Sequence, residues 1–423
     1  MGKKLYIFFV RSIVNIGGAE IYTRNKFIDL KKRGYDVLVF STKRGCCYIE
    51  ELNQFNGLIF QELANDPFLY TEKQRNKISD SILKKIGDVS VYEEIMIESQ
   101  TVQLSVWGEI FAKQINASNF CFFSDDRFAQ LFPSTADFLK YKLKRKELVG
   151  IAPQSLDLLF KGNYDIQEHE KYNLRFYCSN SIEECNDFKL NIPNIENYDI
   201  IIGSITRLEK VCTPFIMDNM LEFAKENKDK KILFIFIGGS SKKKLEKFYK
   251  KKMSKQKNLD FILTGTMYPI PLKLVKHVDL FIGVSGAAGA TTREGIPTLV
   301  VELESGEPLG ILKYNTNSSQ YKDENCNYQS QNIKTFLNEV FIEKKYDLNE
   351  IKKSLKIEKY IVDFSSHFDF IKESKIKSKS QYYDFSIYAI SRKWKFLVSF
   401  IYGIFGSYIL SGLMDLYRKL NGR

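Results

Sequence analysis

Val278-Asp279-Leu280-Phe281-Ile282-Gly283-Val284-Ser285-Gly286-Ala287-Ala288-Gly289-Ala290, closing on Gly295-Ile296-Pro297-Thr298-Leu299-Val300-Val301, reads as strand, small-residue turn, short helix, strand. The apolar run ends at Ser285-Gly286, where small side chains let a ligand approach the backbone. The helix that follows turns its unpaired first-turn amides and its positive dipole end toward any anion bound there. A tight strand-to-helix connection that needs small residues for packing alone would look the same, so the turn by itself leaves both readings open.

The pattern continues on either side of this stretch. Upstream, strands are expected at Ile200 to Ile205, Ile232 to Ile237, Phe261 to Leu263 and Leu280 to Val284, and helices at Pro214 to Asn227, Lys242 to Lys257 and Leu272 to Lys276. The first forty residues make a βαβ unit: an apolar run Leu5 to Val10, the turn Asn15-Ile16-Gly17-Gly18-Ala19-Glu20, a helix ended by Gly34, and Val37 to Phe40. Further strands are expected at Glu94 to Ile97, Phe120 to Phe123, Val149 to Ala152 and Leu174 to Tyr177. Alternation of this kind predicts an α/β chain with two doubly wound halves. The proline- and asparagine-rich Asn191 to Asn197 is the expected boundary, which divides the chain into 1–195, 196–365 and a C-terminal helical segment 366–423.

At 423 residues the chain is long enough for two ordinary domains, and a net charge of +12, from 63 Lys and Arg against 51 acids, favours an anionic partner. Seven scattered cysteines, with no metal or redox spacing, read as reduced cytosolic thiols. The Leu5 to Val10 run is too short for a signal h-region, and Arg11 follows it at once. No recognised nucleic-acid motif accompanies the basic patches, which sets nucleic acid aside. Residues 396–414 carry no charge, are flanked by Arg392, Lys393, Lys395 and by Arg418, Lys419, Arg423, and have the length of a membrane anchor. Ser399, Gly403, Ser407 and Ser411 would form a groove along one face of that helix for another helix to approach. Phe138 to Lys146 mixes apolar and cationic residues in a way that suits anionic headgroups, or else is a surface helix with one buried face.

Gly17-Gly18-Ala19-Glu20 after the first strand, Gly203-Ser204-Ile205-Thr206-Arg207-Leu208 after the first strand of the second half, and Gly295-Ile296-Pro297 resemble the retaining GT-B glycosyltransferases often called family 4. The similarity runs over most of residues 4 to 301, and it looks closest to a divergent branch that builds bacterial capsule and other surface polysaccharides. The resemblance implies a GT-B fold, with two Rossmann-like domains facing a cleft: an N-terminal acceptor domain and a C-terminal nucleotide-sugar domain. It also implies that a basic pair grips the donor diphosphate. Arg207 matches the arginine, but Cys212 stands where the lysine is usual, with Lys210 as the nearby substitute. The two glutamates that the family places around the last glycine turn are missing, since Ile282 and Ala290 occupy those places. Glu294, Glu302 and Glu304 compete to hold ribose or sugar hydroxyls. Gly17, Gly18, Gly238, Gly265, Ser285, Gly286 and Ala287 complete the expected nucleotide-binding turns.

Breaking a sugar C1–O bond to a diphosphate is assisted by fixed positive groups that meet the developing charge. Arg207, Lys210 and the helix starts after Gly17 and Ser285 would provide them, so neither metal nor cofactor is required beyond the nucleotide-sugar donor. Asp125-Asp126, the one acidic doublet suggestive of a metal, is read as a loop or acceptor-side feature. His169, His277 and His367 lie outside the early N-terminal loops, which leaves Glu20, Glu98 and Asp125 as candidate bases should the reaction invert. The resemblance favours retention. The expected function is a membrane-associated transferase on the cytoplasmic side of the membrane, extending a lipid-linked oligosaccharide. A nucleotide-sugar epimerase and a catalytically inactive scaffold of the same fold are the alternatives.

Overall fold

The computed structural model describes residues 2–14, 16–123, 133–150, 156, 160, 174–185, 195–240, 242–319, 322, 331–377 and 382–420. They fall into two compact units, Met1–Tyr177 with Val362–Arg423, and Cys178–Ile361. Ile195–Asn197 therefore lies inside the second unit, and the C-terminal helices belong to the first.

The first unit runs β1 (Lys3–Val10), α1 (Gly18–Lys32), β2 (Tyr35–Ser41), α2 (Glu50–Asn53), α3 (Glu72–Ile86), β3 (Tyr92–Ser99), α4 (Val102–Gln114), β4 (Ser118–Phe123), α5 (Pro133–Lys144) and β5 (Leu148–Gly150). All its strands pair in parallel, in the order β2-β1-β3-β4-β5. Along β1 the side chains alternate: Leu5, Ile7 and Phe9 join the core under Trp107 and Phe111, while Tyr6 and Phe8 are buried on the opposite face. Leu174 to Tyr177, expected as a strand, pairs with none of the described strands. Instead the Tyr177 carbonyl accepts a bond from Asn25 Nδ2, and Phe176 stacks on Tyr22. α5 buries Phe138, Leu139 and even Lys142, whose ammonium lies 2.8 Å from Glu109 and 2.5 Å from Glu147. Its apolar face is spent on the protein interior, which fits the second of the two readings of Phe138 to Lys146, a surface helix with one buried face.

The second unit runs β6 (Ile182–Glu183), β7 (Ile200–Ile205), α6 (Thr213–Glu226), β8 (Ile232–Ile237), α7 (Lys243–Met253), β9 (Leu259–Leu263), β10 (Ile270–Pro271), α8 (Leu272–Lys276), β11 (Leu280–Gly283), α9 (Gly286–Arg293), β12 (Thr298–Val301), β13 (Pro308–Ile311), α10 (Ile333–Phe341) and α11 (Leu348–Ser354). The main sheet has the order β13-β12-β11-β7-β8-β9, parallel but for β13, and β6 pairs with β10 beside it. Ile200 and Ile202 of β7 point into one core and Ile201 and Ile205 into the other, so helices cover both faces. The antiparallel β13 has no counterpart among the strands expected from the sequence.

The chain then returns to the first unit through α12 (Ser365–Lys377) and α13 (Arg392–Leu420). α13 is not one straight rod. Gly406 (φ 73°, ψ −174°) interrupts it, and the rings of Trp394 and Tyr417 stand 5.0 Å apart. On a continuous helix the 23-residue separation would span about 35 Å. The element is therefore a helical hairpin whose arms double back at Gly406. Val398 on one arm and Leu410 on the other are both buried in the core that holds Trp107. The small-residue groove meets the protein itself: Gln74 Nε2 of α3 donates to the Ser399 carbonyl (2.9 Å), and a Cβ on Gly403 would touch the same amide.

Candidate functional site

In a doubly wound sheet, ligands bind beyond the carboxyl ends of the strands at the point where strand order reverses. In the second unit that point lies between β7 and β11, which pair in parallel with Ile202 opposite Leu280 and Ser204 opposite Ile282. The register carries two chains out of the sheet side by side: Thr206-Arg207 from β7 and Val284-Ser285 from β11.

Arg207 is exposed on a rigid stem. Thr206 N donates to the Ile237 carbonyl (3.1 Å), Leu208 N to the Gly239 carbonyl (3.1 Å), and Thr213 Oγ1 to the carbonyl of Arg207 itself (2.9 Å). Lys210 N donates back to the Arg207 carbonyl (3.1 Å), so the two cations are the ends of one turn. Such a turn holds its end Cα atoms within about 7 Å. Across the switch point, Ser285 takes φ 58°, ψ −134°, a conformation costly for any residue with a Cβ, and makes no side-chain cap to α9. The first amides of α9 have no partner within the helix and face the carboxyl end of β11. Gly286 is tightly placed, since an added Cβ would stand 3.2 Å from Ser179 Cα.

The glycines of the neighbouring strands have a different role. A Cβ on Gly238 would lie 1.9 Å from the Thr206 carbonyl oxygen, and Gly238 bridges Gly265 across the ends of β8 and β9. They seat the β7 turn rather than line it. Ser240 Oγ, donating to Glu209 Oε1 at 2.5 Å, ties the β8 turn to the same loop. Two hydroxyls escaped the sequence reading: Ser204 Oγ and Thr206 Oγ1 are buried with no hydrogen-bond partner among the described residues. Both lie in the quoted Gly203-Ser204-Ile205-Thr206-Arg207 stretch, where hydroxyls on alternate positions at a strand end were the available signal.

The three glutamates proposed as sugar ligands are placed unequally. Glu294 caps the far end of α9, about 12 Å along an eight-residue helix from Ser285, and burial raises its pKa. It does not belong to the turn. Glu302 closes its own β12–β13 hairpin, its carboxylate accepting from the amide (3.0 Å) and the hydroxyl of Ser305. Glu304 is exposed at the tip of that hairpin.

In the first unit strand order reverses between β1 and β3, and the Gly17-Gly18 turn follows β1. The Glu20 carboxylate folds back over this turn, its Oε2 2.9 Å from where a Cβ on Gly17 would be. The amide end of α1 thus already has an anion beside it, supplied by the chain. Glu98 is not at an open strand-end loop as expected. It is the penultimate residue of β3 and fully buried, its Oε2 accepting from Lys26 Nζ (2.5 Å) and Tyr6 OH (2.6 Å). Lys26 is buried too, 4.1 Å from the Phe122 ring centroid, and donates to Tyr22 OH (3.1 Å) and His367 Nδ1 (3.3 Å). Burial lowers the Lys26 pKa against the pull of Glu98. A carboxylate enclosed in this way serves the interior, not an incoming acceptor. Asp125 and Asp126 lie outside the described residues.

No family model and no curated protein matches the chain. In structure it is similar to a glycosyltransferase from Rickettsia africae, with a TM-score of 0.54 and 15% identity over 90% of this chain and 100% of that one. It is also similar to Anabaena HepE in complex with UDP-glucose, with a TM-score of 0.52 and 12% identity over 87% and 98% of the two chains. The fold is GT-B. A third likeness, to the apo form of the lipopolysaccharide outer core galactosyltransferase WaaB, has a TM-score of 0.50 and 10% identity over 88% and 99%.

Proposed function

We propose that this GT-B protein is a glycosyltransferase, moving a sugar from a nucleotide-sugar donor to a lipid-linked oligosaccharide in the assembly of a bacterial capsule or similar surface polymer. The observation that carries the reading is the switch point of the second unit. There the Arg207–Lys210 turn and the uncapped amide end of α9 leave the sheet on adjacent strands. A diphosphate leaving group needs this combination, because Arg207 offers forked N–H donors, Lys210 a point charge and α9 backbone amides.

The reaction breaks the bond from sugar C1 to the phosphate oxygen and forms one from C1 to an acceptor hydroxyl oxygen. The family resemblance favours a retaining course, in which the acceptor proton passes to the departing phosphate. The exposed apolar surface of α13 and the net charge of +12 support work at the cytoplasmic side of the membrane. Incubation of the purified protein with a panel of UDP- and GDP-sugars and lipid-linked acceptors, read by mass spectrometry, is the test. Transfer from one donor, abolished by Arg207→Ala in a protein that melts normally, is expected. No binding or turnover of any donor would overturn the reading, and product formed without acceptor would replace it with epimerisation.

A further inference from the structure

We infer that the outer face of the α13 hairpin is a single-leaflet anchor for an anionic lipid surface, seated in the bilayer without crossing it. This deepens the membrane part of the proposed function and is independent of sugar transfer. The hairpin has two unlike sides. Inward, Val398 and Leu410 are fully buried, and Tyr402 packs edge-on to Tyr70 with ring centroids 5.0 Å apart. Outward, Phe396 (70% exposed), Phe400 and Ile404 (57%) follow at four-residue spacing on the first arm, and Tyr408 (72%), Ile409 and Leu413 are exposed on the second. Isolated exposed apolar residues are ordinary, but a continuous apolar face marks a contact surface.

Length and composition alone would allow Arg392–Tyr417 to span a bilayer. The break at Gly406 removes that reading. Each arm is about 14 residues, or roughly 21 Å, short of the about 30 Å hydrocarbon core. Backbone groups freed at the break would find no partner at the bilayer centre. Both arms are also held on the soluble core of the first unit.

Charge identifies the occupant. Arg392, Lys393 and Lys395 are exposed in the first turn, where the helix dipole disfavours cations. The first turn thus carries three exposed cations, and Asp415 is the single acid in α13. A second copy of the chain would bring the same cations against these, whereas an anionic headgroup layer complements them while the aromatic and aliphatic face enters the acyl boundary.

The test is flotation of the full chain with vesicles of phosphatidylcholine alone or mixed with phosphatidylglycerol, without nucleotide sugar. Binding to the anionic vesicles should exceed binding to the neutral ones at least tenfold, and alkaline carbonate should release the bound protein. Phe400→Ser with Ile404→Ser and Tyr408→Ser, all at exposed positions, should abolish binding. Arg392→Gln with Lys393→Gln and Lys395→Gln should remove the anionic preference while leaving the packed seam intact. Absence of vesicle binding, equal binding to both lipids, carbonate resistance, or retention of binding by the apolar variant would each overturn the proposal. Self-association in sedimentation that the same apolar variant dissolves would assign the face to a second copy instead. Because no donor is present, failure here leaves the sugar-transfer reading untouched, and a failed donor panel leaves this one untouched.

Discussion

His367→Gln should remove a specific acid sensitivity from the first unit. His367 sits on α12, buried between the Phe122 ring, stacked at 5.0 Å and 8°, and the rings of Phe364 and Phe176. Its Nε2–H donates to the Arg175 carbonyl (3.0 Å), so Nδ1 carries the lone pair that receives the Lys26 ammonium at 3.3 Å. Burial first, and the Lys26 charge second, hold its pKa well below the usual histidine value. The unfolded chain, with an ordinary histidine pKa of about 6.5, binds a proton below that pH that the folded chain refuses. Protons bound in excess by the unfolded state make stability rise with pH, so it falls on acidification. Integrating RT ln(1 + 10^(6.5 − pH)) gives a loss of at most about 1.9 kcal/mol between pH 7 and pH 5, reached when the folded ring stays unprotonated throughout. His367→Gln removes this slope while keeping an amide donor for Arg175, whatever its uniform cost. Both tryptophans, Trp107 and Trp394, lie in the first unit, so urea unfolding followed by tryptophan fluorescence reads this unit alone. The difference in stability between wild type and variant should shrink or change sign by up to about 1.9 kcal/mol from pH 7 to pH 5. A difference that stays flat would show that the ring is protonated or solvated in the folded protein, and the reasoning about the Lys26 cluster would fail with it.

Other expectations can be checked in the same way. Lys26→Met and Glu98→Gln should each destabilise the first unit by about 3–5 kcal/mol, and Lys26→Met with Glu98→Leu by much less, because an unpaired buried charge costs more than a well-packed apolar pair. Fluorescence-detected unfolding decides it, and a double variant worse than both singles would contradict it. Ser285→Gly should raise the melting temperature of the second unit by relieving about 1 kcal/mol of backbone strain, and a fall would mean the conformation is not strained. Gly238→Ala must push the Thr206 carbonyl aside, so a loss of at least about 2 kcal/mol is expected together with weaker nucleotide binding in calorimetry. Unchanged values would separate the β8 turn from the Arg207 loop. Arg207→Ala should weaken UDP or GDP binding at least tenfold, since each charge-assisted bond contributes about 1.5–3 kcal/mol.

The sequence by itself determined the local elements, because period, turn chemistry and caps act over a few residues. Ile200–Ile205 and Ile232–Ile237 coincide with the runs read from β-branched and aromatic residues, and α6 and α8 match the helices expected at Pro214 to Asn227 and Leu272 to Lys276. The small-residue turn after β11 and the position of Arg207 after β7 were legible for the same reason. What needed the tertiary structure were facts about partners far apart in the chain. Glu98 and Lys26 are separated by 72 residues, and only folding makes a candidate base into half of a buried ion pair. Glu294 looked adjacent to the ligand turn until the helix between them carried it to the opposite end. Phe138 to Lys146 and residues 396–414 had the composition of membrane contacts, and composition cannot say which face the protein core claims. Packing turned the first inward, and a single positive-φ glycine folded the second into a hairpin, because burial and chain reversal depend on what stands opposite a residue rather than on the residue itself.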